Sequence, residues 1–136
     1  MKKQLLETLK KAKNYTLAVV EAMPESHFTF KPDGAGWNFA ELLNHIGYGI
    51  QWWRDNYLLG KQTDWDQPFF ESNKAAVKTY LEQSFQQLEE TCQELSFDRN
   101  SELEGFHATL DHVTHHRGQA VLYLRCQGTT PPEYIY

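Results

Sequence analysis

Apolar residues recur at Leu5, Leu9, Ala12, Thr16, Val19 and Met23, in alternating steps of four and three. Leu6, Leu17 and Val20 widen this stripe, while Lys2, Lys3, Lys10, Lys11 and Lys13 fall in the polar positions. Such a rhythm is that of an α-helix with one face turned to a core. It predicts a first helix over residues 2–23, ended by Pro24, which has no N–H to donate. After a loop rich in Pro and Gly, Asn38 stands as an N-cap. Glu41 three residues on is placed for a capping box, and Trp37 and Leu42 for a hydrophobic staple. Leu43, Ile46, Ile50, Trp53 and Tyr57 continue the second helix, predicted over 38–59 with a stop near Gly60. Gly47 and Gly49 inside it each cost up to about 1 kcal/mol relative to alanine and imply close approach by another helix or a bound group. Val77, Leu81, Phe85, Leu88, Cys92 and Leu95 give a third helix over 72–95, capped by Ser72. Leu110, Val113, Ala120, Val121 and Leu124 give a fourth over 109–126, capped by Thr109 and stopped by Gly128. No segment of useful length alternates with period two. The expectation is an all-α four-helix bundle, one domain over residues 1–136. Its three connections are each about a dozen residues on this reading, too long to force antiparallel neighbours, so the order of the helices stays open.

Composition changes this picture little. Apolar residues make up 40% of the 136 and charged residues 23%, which is globular usage. The net charge of −5 speaks against nucleic acid, whose phosphates require a concentrated cationic surface, and against anionic lipid. Apolar runs are a few residues long, so no membrane span is expected. The amino terminus enters an amphipathic helix rather than a signal-peptide core. Cys92 and Cys126 are therefore expected as free, buried thiols in a cytoplasmic protein.

The histidines carry the candidate chemistry. Six occur, at 27, 45, 107, 112, 115 and 116. His112 and His116 are four apart, so their side chains share a helix face with Cβ atoms about 6 Å apart. One helix can offer two imidazoles to a single metal ion in this way. The residue after His112 is Val113, so the zinc-protease glutamate is missing. His115 is rotated about 100° from His116 and leaves that face. His45 lies on the apolar side of the second helix and is the candidate third ligand. A hydrogen-bonded core histidine at 45, and a solvated helix face at 112 and 116, are the plainer alternatives.

Read through, His112-Val-Thr-His115-His116-Arg117-Gly118-Gln119, together with the Trp37-to-His45 helix opening, resembles the DinB/YfiT-like family. That family's last long helix carries His-x-x-His-His-Arg-Gly-Gln, and the likeness extends over nearly the whole chain. It implies His45, His112 and His116 as metal ligands, an up-down-down-up bundle and a homodimer. It also implies thiol chemistry, since relatives include low-molecular-weight thiol transferases and a thiol-dependent isomerase. The helix connections are shorter than in many members, so substrate class carries over least.

Three neutral imidazoles would leave one divalent ion with its full charge and an open position. That is a catalytic rather than a structural arrangement, with a bound water or thiol as the reacting group. Zinc, nickel and iron all suit such ligands. Cys126 is about 15 Å along the helix from His116 and cannot complete the site. Gln119, three residues after His116, can orient a ligand by hydrogen bonding. Arg117 reads first as a surface or interface cation, Gly118 as a close helix crossing, and Trp52, Trp53 and Tyr123 as core aromatics. The functional expectation is transfer of a low-molecular-weight thiol to an electrophilic small molecule. The alternatives are metal-dependent hydrolysis, or a bundle that binds metal or a partner without turnover.

Overall fold

Helices form where the apolar stripes run. In the computed structural model, which describes residues 1–134, they are α1 (Lys2–Ala22), α2 (Phe39–Trp53), α3 (Lys74–Glu94) and α4 (Asn100–Cys126). A short 3₁₀ turn (Glu25–His27) follows α1, and a π-helical turn (Arg54–Leu58) prolongs α2. Among the described residues there is no strand. The core gathers the expected stripe residues, with Leu9, Val19, Ile46, Ile50, Leu81, Phe85, Val113 and Leu124 all buried.

α2 is buried on nearly every side from Phe39 to Ile50, so it is the central element. Its start is fixed twice over. Asn38 Oδ1 accepts from the Glu41 N–H at 2.8 Å while Glu41 Oε2 accepts from the Asn38 N–H at 3.0 Å, a complete capping box. The next free amides, of Phe39 and Ala40, donate to the carbonyls of Phe30 and Phe28, each at 2.9 Å. The Phe28–Phe30 loop thereby closes that end of the bundle.

Contacts along the helices set their directions. The Lys2 ammonium bonds the Gln93 carbonyl, and Lys74 bonds the Glu21 carbonyl, so α1 and α3 are antiparallel. Gln51 bonds Ser84 and Arg54 bonds Thr91, so α2 and α3 are parallel. His45 meets His116 while Leu58 meets Gly105, so α2 and α4 are antiparallel. The result is up-down-down-up, with α1 and α2 each packed on both α3 and α4. Because α2 and α3 run the same way, segment 59–73 must travel back along the bundle to join them.

Three details depart from the sequence reading. Asn73, not Ser72, caps α3 by accepting from the Ala76 N–H at 2.9 Å. α4 begins at Asn100, nine residues before the expected start, and the connection to it is only residues 95–99. Glu102, Gly105 and Thr109 share the buried positions of that added stretch with Phe106, and Leu103 packs on the core beside them, so polar and small residues interrupt the apolar stripe there. Thr109 is no cap. It is buried in mid-helix, its hydroxyl donating to the Gly105 carbonyl at 2.8 Å. The start is fixed instead by Glu102, which accepts from the Arg99 N–H at 3.4 Å and pairs with the Arg99 guanidinium at 3.1 Å. The short turn before it holds the buried Phe97 at φ +60°, a left-handed backbone that costs about 1–3 kcal/mol.

Of the two thiols expected to be free and buried, only Cys92 is buried. Burial pushes its pKa up to about 12, which makes it inert. Cys126 is exposed.

Candidate metal centre

α2 and α4 face each other at the level of His45, and the antiparallel pairing brings His112 and His116 to it from two adjacent turns. His45 Nε2 lies 3.1 Å from His116 Nε2 and 3.1 Å from His112 Nε2. One nitrogen from each of the three rings falls within 4.8 Å of the others, so the group could hold a metal ion. Tetrahedral zinc at 2.0–2.1 Å would space its nitrogen ligands about 3.3 Å apart, close to what the side chains already adopt.

The far ring nitrogens fix the tautomers. Gln67 Oε1 lies 3.2 Å from His45 Nδ1, and Gln119 Oε1 lies 2.8 Å from His116 Nδ1. An amide oxygen accepts only, so each Nδ1 carries the proton and donates it. Each Nε2 then presents a lone pair, and the two lone pairs of His45 and His116 point at one another across 3.1 Å. Without a cation between them that contact is repulsive. The donor set and its separation therefore fit a divalent ion.

Burial keeps the rings neutral. It holds His45 and His116 below the usual imidazole value, against the opposing pull of their glutamine hydrogen bonds. The neighbouring His116 and His115 add to the lowering at His45 and His116 respectively. His112 is pushed down to about 3, by burial first and then by His116, His45 and His115. Its Nδ1 is buried with no hydrogen-bond partner among the described residues. Packing orients this ring instead. Trp53 stacks on it at 4.6 Å, and a Cβ at Gly49 would overlap it, so only glycine leaves it room.

Tryptophans complete the enclosure. Trp37 stacks on His45 at 4.3 Å and meets His116 edge-on, so the ring expected as a helix staple packs on two of the three histidines. Trp65, on the returning 59–73 segment, lies 5.4 Å from His45. The π-helical turn follows Trp53 directly and packs Leu58 against Gly105 of α4.

The sequence profile of the DinB superfamily matches residues 8–120. The chain belongs to the DinB superfamily. Two solved DinB-like proteins share its fold. One, from Bacillus cereus ATCC 10987, superposes with a TM-score of 0.79 at 14% identity, covering 97% of this chain and 95% of its own. The other, YjoA from Bacillus subtilis, gives a TM-score of 0.75 at 18% identity, covering 96% and 97%. No curated protein matches the chain in sequence.

Within this DinB bundle, His27, His107 and His115 lie outside the three-nitrogen group. Arg117 is buried rather than a surface cation, its guanidinium 4.9 Å from the Tyr15 ring. Gly118 is exposed with nothing near its Cβ position, so it mediates no crossing within the chain. Trp65 and Gln67 went unread in the sequence because they sit on an irregular segment with no periodicity. Gly49 was the legible clue, since a mid-helix glycine marks close approach.

Proposed function

We propose that His45, His112 and His116 hold one divalent metal ion through their Nε2 atoms. On that reading the chain is a metal-dependent enzyme that transfers a low-molecular-weight thiol to an electrophilic small molecule. The carrying observation is the approach of the His45 and His116 Nε2 atoms to 3.1 Å while the Nδ1 atom of each ring faces a glutamine amide oxygen. Such an ion lowers the pKa of a thiol and holds the thiolate in place.

The chain's own groups favour thiol transfer over hydrolysis. The polar partners of the ligand rings are the neutral amides of Gln67 and Gln119, so among the described residues no carboxylate hydrogen-bonds these rings to offset the charge of the site. Nor, among the described residues, does a carboxylate join the three histidines to serve as general base for water. A thiol needs less help, because its free pKa of about 8.5 is far below that of water. Transfer would form a sulfur–carbon bond as the bond to the leaving group breaks, with the thiol proton released to solvent. Trp37, Trp53 and Trp65 would exclude water from the thiolate and give an apolar wall to the electrophile.

The test is elemental analysis of protein purified without a nickel column, followed by turnover of a generic electrophile with and without added thiol. Stoichiometric metal and thiol-dependent turnover are expected. Turnover without thiol would replace the reading by hydrolysis, and absence of metal would remove it.

The proposal extends to a cytoplasmic homodimer paired through the outer face of α4. Gly118 and Leu122, one turn apart and both exposed, would let a second helix approach closely. Sedimentation at micromolar concentration should give twice the 15.9 kDa chain mass, and Leu122→Glu should give monomer. A monomer before substitution would remove the dimer. Among the described residues no helix is long and apolar enough to cross a membrane.

A further inference from the structure

On the other side of α4, between it and α1, lies a cavity of about 340 Å³. Two helical stripes line it. Lys11, Ala12 and Tyr15 come from α1, and Leu110, Asp111 and Arg117 from α4. Its inner end is cationic in an unusual way. Arg117 is only 6% exposed, yet among the described residues no carboxylate forms an ion pair with it. Its guanidinium rests instead against the edge-to-face pair of Tyr15 and Tyr134, 4.9 and 5.7 Å from the two ring centres, with a hydrogen bond to Tyr134.

Buried arginines are ordinarily paired, because an uncompensated charge away from water is costly. Aromatic faces stabilise the cation but do not neutralise it, and among the described residues they leave edge N–H donors of its five without an anion. The lining Lys, Arg and Asp residues are Lys11, Arg117 and Asp111, which sum to +1, and His107 also lines the cavity. A singly charged anion balances that sum, and a dianion overshoots it. Ala12, Leu110 and the Tyr15 ring supply apolar wall between the charged groups, and the volume suits a small organic body.

We propose that the α1–α4 cavity binds a small organic monocarboxylate, its carboxylate on the Arg117 guanidinium and its apolar body against Ala12, Leu110 and Tyr15. Lys11 at the rim draws the anion in. The planar fork of arginine matches a carboxylate in two parallel hydrogen bonds, which an ammonium cannot do. The site is separate from the three histidines, because Arg117 follows His116 in sequence but leaves α4 on another face.

Benzoate is the probe, with benzamide as its neutral isostere and phenyl phosphate as the competing oxyanion. Titration of the full chain is followed by heteronuclear NMR with a chelator present, so that no benzoate is taken up by metal. Saturable shifts are expected at Lys11, Leu110 and Arg117, with benzamide at least tenfold weaker. Arg117→Gln should abolish the shifts. Lys11→Gln, at an exposed position that leaves the fold intact, should weaken them severalfold. His45→Ala should leave them unchanged, which separates this site from the metal reading. Equal binding of benzamide, benzoate binding unaffected by Lys11→Gln and Arg117→Gln, or no saturable shift would each overturn the proposal. Binding of phenyl phosphate alone would overturn the carboxylate assignment.

Discussion

His45 Nε2 stands 3.1 Å from two other ring nitrogens, and the energetics of the site follow from what lies between them. Replacing His45, His112 or His116 with alanine is expected to abolish stoichiometric metal binding, whereas His27→Ala and His115→Ala should retain it; isothermal titration with zinc reads both. The pH dependence has a definite sign. Unfolded imidazoles take up protons near pH 6.5, but in the fold all three are lowered, His112 to about 3. Between those values the unfolded chain binds more protons, so stability of the metal-free protein falls as pH drops from about 6.5 towards 3. Urea midpoints across that window should show it, and His112→Gln should flatten part of the slope. For the same reason metal should be retained to a pH below that of free imidazole, since the folded rings are already neutral. Gly49→Ala drives a methyl into the His112 ring. It should cost about 1–3 kcal/mol in chemical denaturation and weaken zinc binding more than a distant alanine substitution does. At this scale much of the site was legible. The i, i+4 pair and the apolar-face histidine led to three side chains that do meet. The rings and amides that hold them, Trp53, Trp65 and Gln67, were not, because stacking and long-range hydrogen bonds leave no periodic trace.

Among the elements, α4 shows how an apolar stripe can understate a helix. Its first turns bury Phe106 but also Glu102, Gly105 and Thr109, which serve an ion pair, a close approach to Leu58 and a backbone hydrogen bond and so interrupt the stripe. With no Ser, Thr, Asp or Asn at position 99, the cap signal was missing as well. α3 offers the opposite lesson, since two adjacent residues could each cap and the structure uses the second. Asn73→Ala should therefore cost about 1 kcal/mol in equilibrium unfolding, and Ser72→Ala much less. Segment 59–73 brings two side chains against His45. Thr63 is tied to Asn56 and Asp66 to Tyr48, which places Trp65 and Gln67 over the site. Trp65→Ala and Gln67→Ala should speed the transfer of bound cobalt(II) to a chelator severalfold while leaving helix content unchanged. Unaltered exchange would show that the segment does not guard the metal.

Across the whole molecule, direction and order of the helices were beyond the reach of periodicity, because four amphipathic stripes pack equally well in several topologies. The family resemblance implied up-down-down-up, and pairs such as Lys74–Glu21 and Gln51–Ser84 that join distant positions bear it out. The same architecture separates folding from chemistry. The core runs through all four helices, with Leu9, Val19, Ile46, Phe85, Leu88, Phe106 and Val113 buried. The histidines sit to one side of it, between α2, α4 and the returning segment. A zinc finger lacks such a core and unfolds without its ion, whereas here burial of apolar surface does not wait for the metal. Chelation should consequently leave the far-ultraviolet dichroism spectrum and a single cooperative thermal transition in place. The transition should rise on adding zinc, and the rise should grow only logarithmically with free zinc, as expected for an ion that binds the folded state alone. Removing a bound ion should also restore the repulsion between the His45 and His116 nitrogens, seen as local loosening at those rings in NMR rather than as loss of the bundle. A metal-free chain with random-coil dichroism would mean that the ion, and not the four apolar stripes, holds this fold together.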